Sequence, residues 1–402
     1  MKFTFLDGAT GTNLMKAGMP RGVCVEKWVL DNPDVIIGLQ KEYVQSGSDI
    51  IYSPTFGANP VSLAKYGLED KTEEMNESLV KLSRIATDGK AKVAGDISST
   101  GLLMAPMGDA SYEQIKNAYM RQAKALHNAG VDLFILETFS SLGECLAAFD
   151  GVRAVSDKDI AVSVTVENSG KTLCGDTPES CLIALSARGA CAFGVNCSSG
   201  VESMAKIIGR LNKISSVPLI SKPNAGLPVI VNGENVFPDS AESFADKYTV
   251  LAEAGASFVG GCCGTTPAHI KALCNKLERE ETCMAVANEV YAASNRDIFP
   301  VENINYPERT VCDDDMLFSI PEKDEADFFR LYIENEDQIQ NFIEGMASIE
   351  TPLILGAESL ELFEKAVALY VGRCIYDEEC GFDNEKITEL NKKYGFIIPS
   401  QL

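Results

Sequence analysis

The sequence predicts an α/β protein: a (β/α)8 (TIM) barrel over residues 1–282, a linker over 283–315 and a small α/β module over 316–402. Three observations predict it. Eight short apolar runs alternate with amphipathic segments of helical period through the first 282 residues. Polar or metal-capable side chains recur at the carboxyl ends of those runs, the face on which parallel barrels carry their active sites. The chain has 402 residues, which leaves room for a second unit beyond the roughly 250 residues of such a barrel.

In chain order the strand-like runs are 2–6, 49–53, 92–96, 133–137, 160–166, 192–196, 218–221 and 258–261. Between them, helical periodicity covers 33–46, 76–88, 111–128, 203–211 and 241–254. Eight alternations in this length fit a closed barrel better than an open doubly wound sheet, although periodicity alone admits both. Regular periodicity lapses after residue 282, and Asp313-Asp314-Asp315 forms a short acidic run, so a linker is placed here. Beyond it the pattern predicts a helix near 326–346, a strand at 353–355, a helix at 359–370, a strand at 374–376, a helix at 384–393 and a strand at 396–398.

Composition narrows the function classes. Apolar residues make up 46% and charged residues 23%, enough to bury a core and unlike a disordered chain. The net charge is −23; residues 283–402 hold 25 acidic and 9 basic side chains, so −16 of it lies in the last third. Such a balance repels phosphate backbones and anionic lipid, which excludes nucleic acid and membrane surfaces as expected partners and favours a basic one. No apolar run reaches the roughly 18 residues of a membrane span, and Met1 leads into Leu6-Asp7-Gly8 without a signal-peptide core. A cytoplasmic protein is expected, with room for a homo-oligomer.

Thirteen cysteines in such a chain argue against a disulfide scaffold and for burial or metal binding. Cys145, Cys174, Cys181 and Cys191 lie among Ala, Leu and Val and read as small core residues. Cys197, in Gly194-Val195-Asn196-Cys197, and Cys262-Cys263, in Gly260-Gly261-Cys262-Cys263-Gly264, differ: they end the sixth and eighth strands. Neighbouring residues of a strand point to opposite faces, so a vicinal pair can ligate one ion only where the strand breaks into a turn, and the flanking glycines permit that. Three thiolates favour zinc and leave its fourth tetrahedral position open, the arrangement of a catalytic site. Such a site suits binding of a substrate thiol, whose pKa of about 8.5 leaves it mostly protonated in water. Hydrolysis by zinc-bound water fits less well, because three thiolates make the metal a weak acid and no histidine base is evident. His127 reads as a surface or cap residue and His269 as a packing residue.

These motifs resemble the homocysteine S-methyltransferase family, and within it the homocysteine-binding module of cobalamin-dependent methionine synthases. The match runs in order through Asp7-Gly8-Ala9-Thr10-Gly11-Thr12, Thr55-Phe56-Gly57-Ala58-Asn59, Ala64-Lys65-Tyr66-Gly67-Leu68, Ala94-Gly95-Asp96-Ile97, Glu137-Thr138, Asn196-Cys197, Pro223-Asn224-Ala225-Gly226-Leu227-Pro228 and Cys262-Cys263 with Gly264-Thr265-Thr266-Pro267. It spans about residues 1–280. The resemblance implies zinc held by Cys197, Cys262 and Cys263, with homocysteine sulfur as fourth ligand. It also implies that Asp7 and Glu137 face the substrate ammonium, that Gly8, Ala9 and Thr10 offer backbone N–H groups to its carboxylate, and that Asn196 and Asn224 belong to the substrate site.

The chain departs from the family pattern at Ser53-Pro54, usually Thr-Asn, at Pro60, and at Ser98-Ser99, often Gly-Pro. These loops lie where a methyl donor would enter. The last 120 residues are too short for the folate barrel and corrinoid module of methionine synthase, and the corrinoid-ligand pattern Asp-x-His-x-x-Gly is absent. Pro352-Leu353-Ile354-Leu355, 357–370 and Gly372-Arg373-Cys374-Ile375-Tyr376 still look like part of a reduced folate barrel that has lost pterin binding, with Gly356 and Asp377 where pterin-contacting Asp and Asn would stand; an unrelated acidic accessory domain is the alternative.

The leading expectation is a zinc-dependent transfer of methyl to homocysteine, giving methionine, from methylcobalamin or another methyl-corrinoid carried by a separate protein. An S-methylmethionine or betaine-type donor is the enzymatic alternative. A zinc or thiol sensor without catalysis is the alternative of another class; the full set of strand-end polar groups argues against it, since a sensor needs only the cysteines.

Overall fold

A computed structural model of the chain describes residues 2–197, 200–231, 234–277, 287, 289–302, 304, 306–321 and 326–402. Residues 278–286, where the expected barrel domain passes into the expected linker, lie outside that set.

Eight parallel strands form the first sheet: Thr4–Phe5, Ile50–Tyr52, Lys92–Ile97, Leu133–Phe139, Ile160–Val164, Ala192–Cys197, Leu219–Pro223 and Ala256–Val259. Each pairs with its sequence neighbours, the eighth pairs back onto the first, and a parallel bridge from Leu6 to Ile50 joins first to second, so the sheet curls into a barrel. The expected alternation is therefore the observed one, with strand boundaries displaced by up to two residues and helix boundaries by up to four. Helices pack outside. Tyr112–Asn128 shows why they form: Ser111 caps it by accepting a hydrogen bond from Gln114 N–H, and Tyr112, Ile115, Tyr119, Ala123 and Leu126 recur on its buried face.

Two apolar layers hold the barrel together. Between strands and helices lies a large cluster that includes Phe134, Phe139, Phe149, Phe193 and Phe244. Inside the barrel sit Leu6, Ile50, Ala94, Ile135, Ala161, Ala192 and Ile220. Side chains alternate along a strand with period two. Two residues beyond Ile50, Ala94, Ile135 and Ile220 come Tyr52, Asp96, Glu137 and Lys222, which floor the carboxyl-end cavity.

The second unit is a four-stranded parallel sheet, Thr310–Val311, Phe329–Ile333, Leu353–Ala357 and Ile375–Tyr376, with helices Gln338–Gly345, Leu360–Leu369 and Asn384–Tyr394. The expected helix over 326–346 is wrong in its first half, where Phe329–Ile333 is a central strand. Its alternating Leu331 and Ile333 pack under the helices, a two-residue period lost inside a longer apolar window. The expected strand at 396–398 is reduced to a bridge from Ile397 to Ile375. The segment read as a linker contributes a short antiparallel pair, Tyr291–Ala293 with Ile298–Pro300, and the edge strand Thr310–Val311.

This unit packs on the barrel's flank. Helix Pro178–Ala187 is buried from Pro178 and from Ser180 through Leu185. Arg188 is buried, pairs with Asp150 at 2.9 Å, and lies 5.4 Å from the centre of the Tyr394 ring. A side chain on Gly395 would collide with Ala187 O, so the closeness of the two units requires glycine there.

Candidate active site

The sixth strand ends at Cys197, whose positive φ of 57° breaks the strand in the left-handed region that few non-glycine residues occupy. Its neighbour is Pro223, the last residue of the seventh strand. Pro223 O accepts a hydrogen bond from Cys262 N–H at 2.8 Å, and Cys263 O accepts one from Ala225 N–H at 3.0 Å. Thus the seventh strand splices the sixth to the turn after the eighth. Gly264 follows with φ of 83°, where an added Cβ would strike Phe237. The turn brings both members of the vicinal pair to one side, and the sulfurs of Cys197, Cys262 and Cys263 all lie within 4.8 Å of one another.

Mutual hydrogen bonding among these thiols is the first cause pushing Cys262 well above the ordinary thiol range and Cys263 up to about 12, with burial adding to both. So many like groups ionise together only around a cation, and three sulfurs at this spacing match a tetrahedral ion with a Zn–S distance of about 2.3 Å. The donor set fits zinc.

The sulfurs open onto a cavity of about 320 Å³ lined, among the described residues, by Asp7 through Thr12, Tyr52, Ser53, Phe56, Asp96, Glu137, Thr138 and Lys222. The turn after the first strand is clamped from below. Ala9 N–H donates to Thr265 Oγ1 at 3.0 Å, and Tyr43 Oη donates to Ala9 O at 2.8 Å. A Cβ on Gly8 would come 2.7 Å from Tyr43 Oη and 2.8 Å from Thr265 Oγ1, so only glycine lets the turn sit this deep.

Lys222, which did not figure among the expected site residues, rises between the carboxylates. Its Nζ lies 3.1 Å from Asp7 Oδ1, 3.7 Å from Glu137 Oε2 and 3.6 Å from the Tyr52 ring centre. Burial works against its charge, but Tyr52, Asp7 and Glu137 more than offset that and hold the ammonium well above the ordinary lysine range. Asp7 Oδ2 accepts from Tyr52 N–H at 2.8 Å, so both Asp7 oxygens are engaged within the chain. Burial pushes the Asp7 and Glu137 carboxyls up, with Lys222 restraining each. Asp96 is raised well above its ordinary range, first by burial and then by Glu137. Glu137 Oε2 and Asp96 Oδ1 are buried and accept no hydrogen bond.

Asn196 is placed behind the cavity. Its Oδ1 accepts from Thr138 N–H at 3.1 Å and Ser163 Oγ at 2.9 Å, and its Nδ2 donates to Thr138 Oγ1 at 2.7 Å while lying 3.8 Å from Cys262 Sγ. It braces the Glu137-Thr138 turn against the sulfurs. Asn224 is buried outside the lining, its Oδ1 without a partner. Gly8, Ala9 and Thr10 line the cavity, while Glu167, the polar residue just beyond the fifth strand-like run, is exposed. Ser98 Oγ donates to Glu137 O at 2.8 Å. His127 is exposed in the last turn of its helix and contacts Ser156 Oγ, a surface position as expected, whereas His269 is buried and packs through contacts to Thr266 and Asp239 O. Cys145 and Cys181 are core residues, whereas Cys174 and Cys191 are half-buried.

Residues 4–277 match the model of the homocysteine S-methyltransferase family. The chain belongs to that family. Among relatives of this homocysteine S-methyltransferase-family chain, the methionine synthases of Mycobacterium leprae and Mycobacterium tuberculosis are each 31% identical to it, over 283 and 300 residues. These alignments cover 66% and 70% of this chain but only 23% and 24% of those proteins, so the chain spans about a quarter of their length. The homocysteine methyltransferase MmuM from Escherichia coli, in its metallated form, superposes with a TM-score of 0.58 and 25% identity, covering 68% of this chain and 96% of that one. The expected family and barrel are thereby established.

Proposed function

We propose that the chain transfers a methyl group to the thiol of homocysteine, forming methionine, and that Cys197, Cys262 and Cys263 hold the zinc this requires. The convergence of those three sulfurs at the edge of a cavity whose buried carboxylate oxygens accept no hydrogen bond carries this reading. Zinc bound there supplies an open position for the substrate sulfur and keeps it ionised at neutral pH.

The chain's own residues do the rest. Glu137 offers Oε2 to the substrate ammonium, and burial makes that contact stronger than it would be in water. The clamped turn presents the backbone of Gly8 and Thr10 toward the substrate carboxylate, while the Ala9 N–H expected to join them is taken by Thr265 Oγ1. Asn196 holds Thr138, Glu137 and Cys262 in register. Asp7 acts through Lys222, whose charge it anchors. Ala225, next to Asn224, supports the turn carrying Cys263 through its N–H.

We further propose a methyl-corrinoid on a separate protein as donor. Exposed apolar side chains Met15, Phe56, Leu227, Val229 and Ile230, on the short helix Gly11–Lys16, the loop after the second strand and the segment after the seventh, suit a large donor more than a small cation. The −16 balance of residues 283–402 would favour a partner with a basic face. Homocysteine methylation assayed in parallel with methylated corrinoid protein, methylcobalamin, S-methylmethionine and betaine tests both proposals. Methylation from the small donors alone removes the corrinoid, and none from any donor removes the transfer reaction in favour of thiol or zinc sensing.

A further inference from the structure

At the peptide group between Glu137 and Thr138 the fourth strand stops behaving as a strand. Pairing with the third strand ends at Ile97 opposite Leu136, and pairing with the fifth skips from Leu136 to Phe139. Thr138 takes a φ of 63°, in the left-handed region that a β-branched residue enters only under constraint. Such strain persists where surrounding groups over-determine it. Here two side chains grip the one peptide unit from its two ends: Ser98 Oγ donates to Glu137 O at 2.8 Å, and Asn196 Oδ1 accepts from Thr138 N–H at 3.1 Å. They reach it from opposite sides of the fourth strand, Ser98 from just beyond the third and Asn196 from the sixth.

Ser98 is 2% exposed and stands behind the cavity wall rather than in it. It is itself held in place. Its N–H donates to Phe56 O at 3.2 Å, which ties it to the turn after the second strand, where Phe56 lines the cavity. The two residues that follow are anchored on buried Glu144, whose Oε2 accepts from Ser99 Oγ at 2.6 Å and whose Oε1 accepts from Thr100 N–H at 2.7 Å.

We infer that Ser98 is a positioning residue of the substrate site: by holding the C=O of the strained Glu137–Thr138 peptide, it keeps the Glu137 carboxylate aimed at the bound amino-acid thiol. The inference rests on the methyl-acceptor reading proposed above. Without the hydroxyl the peptide is gripped at its N–H end alone, rotates to relieve Thr138, and carries Glu137 with it. The loss falls on the contact that Glu137 makes and not on the metal.

A double-mutant cycle on the zinc-loaded full chain, read by homocysteine binding in calorimetry, tests this. Ser98→Ala removes only Oγ and should weaken homocysteine by about fivefold or more in the parent but by less than about twofold in the Glu137→Gln background, because residues that act through one another do not add. Zinc content and Tm are read first, and Ser98→Cys, close in size but a weak donor, takes the place of Ala should that variant fail to fold. Equal weakening in the two backgrounds, as a loss of general stability would give, or no weakening in the parent, overturns the role of Ser98 and leaves the methyl-acceptor reading standing. Failure of the unaltered zinc-loaded chain to bind homocysteine overturns that reading, and the role of Ser98 with it.

Discussion

Lys222 Nζ stands 3.1 Å from Asp7 Oδ1, with the two side chains 4% and 2% exposed. The pair joins the seventh strand to the loop after the first and is roofed by the same cavity that presents the three sulfurs. A carboxylate at the mouth of the first strand thus works as an internal counterion before any ligand arrives.

Breaking that pair from one side should be expensive. Lys222→Met leaves Asp7 buried without a cation, and removal of one partner of a buried pair costs about 3–5 kcal/mol. Urea unfolding should show this loss at neutral pH, with a partial recovery in the Lys222→Met, Asp7→Asn double variant. A double variant no more stable than the single one would show that the pair is not coupled.

The three sulfurs make a metal prediction. Purified protein should carry about one zinc per chain, and Cys197→Ser, Cys262→Ser and Cys263→Ser should each lose both zinc and methyl transfer while circular dichroism stays barrel-like. Full activity in a zinc-free triple variant would refute the assignment.

Glu137→Gln should weaken homocysteine by roughly 1.5–3 kcal/mol, the worth of a charge-assisted hydrogen bond, with zinc content unchanged. An unchanged dissociation constant would take Glu137 out of the substrate site.

Asp96 gives a pH prediction for the metal-free, ligand-free chain. Its folded pKa lies above the ordinary value of 3.8, owing to burial and then to Glu137. The folded state therefore binds the proton more tightly than the unfolded state, and its contribution to stability is present below the unfolded pKa and falls as pH rises toward the folded one. Asp96→Asn removes the titration, so its Tm should exceed the parent's at about pH 8 and the difference should shrink toward about pH 4. A Tm difference that does not vary with pH would contradict the burial argument.

The barrel and its sulfur site were legible because their signals are repeated. Eight apolar runs fix a period, and cysteines at two strand ends with glycines around them imply a common turn. Lys222 was not, because a lone lysine near a strand end reads as solvent-facing. The usable clue was its setting in Leu219-Ile220-Ser221-Lys222-Pro223, a parallel barrel strand whose side chains are buried on both faces and which tolerates a charge only when paired. Asp96 stood among the polar strand ends, but nothing in sequence ranks such groups by which keep a partner. The helix expected over 326–346 failed at Phe328-Phe329-Arg330-Leu331-Tyr332-Ile333, where bulky residues on both faces hide the two-residue period.

Helix Pro178–Ala187 has consequences for how this chain can be divided. Its sequence is nearly free of charge because one side meets the barrel and the other is covered through Arg188, Val367 and Tyr394. The stretch that matches the family, residues 4–277, therefore leaves out part of what covers this helix. A fragment cut at the homology boundary would present an oily flank to water and aggregate, so a working minimal version needs either the C-terminal sheet or a resurfaced helix.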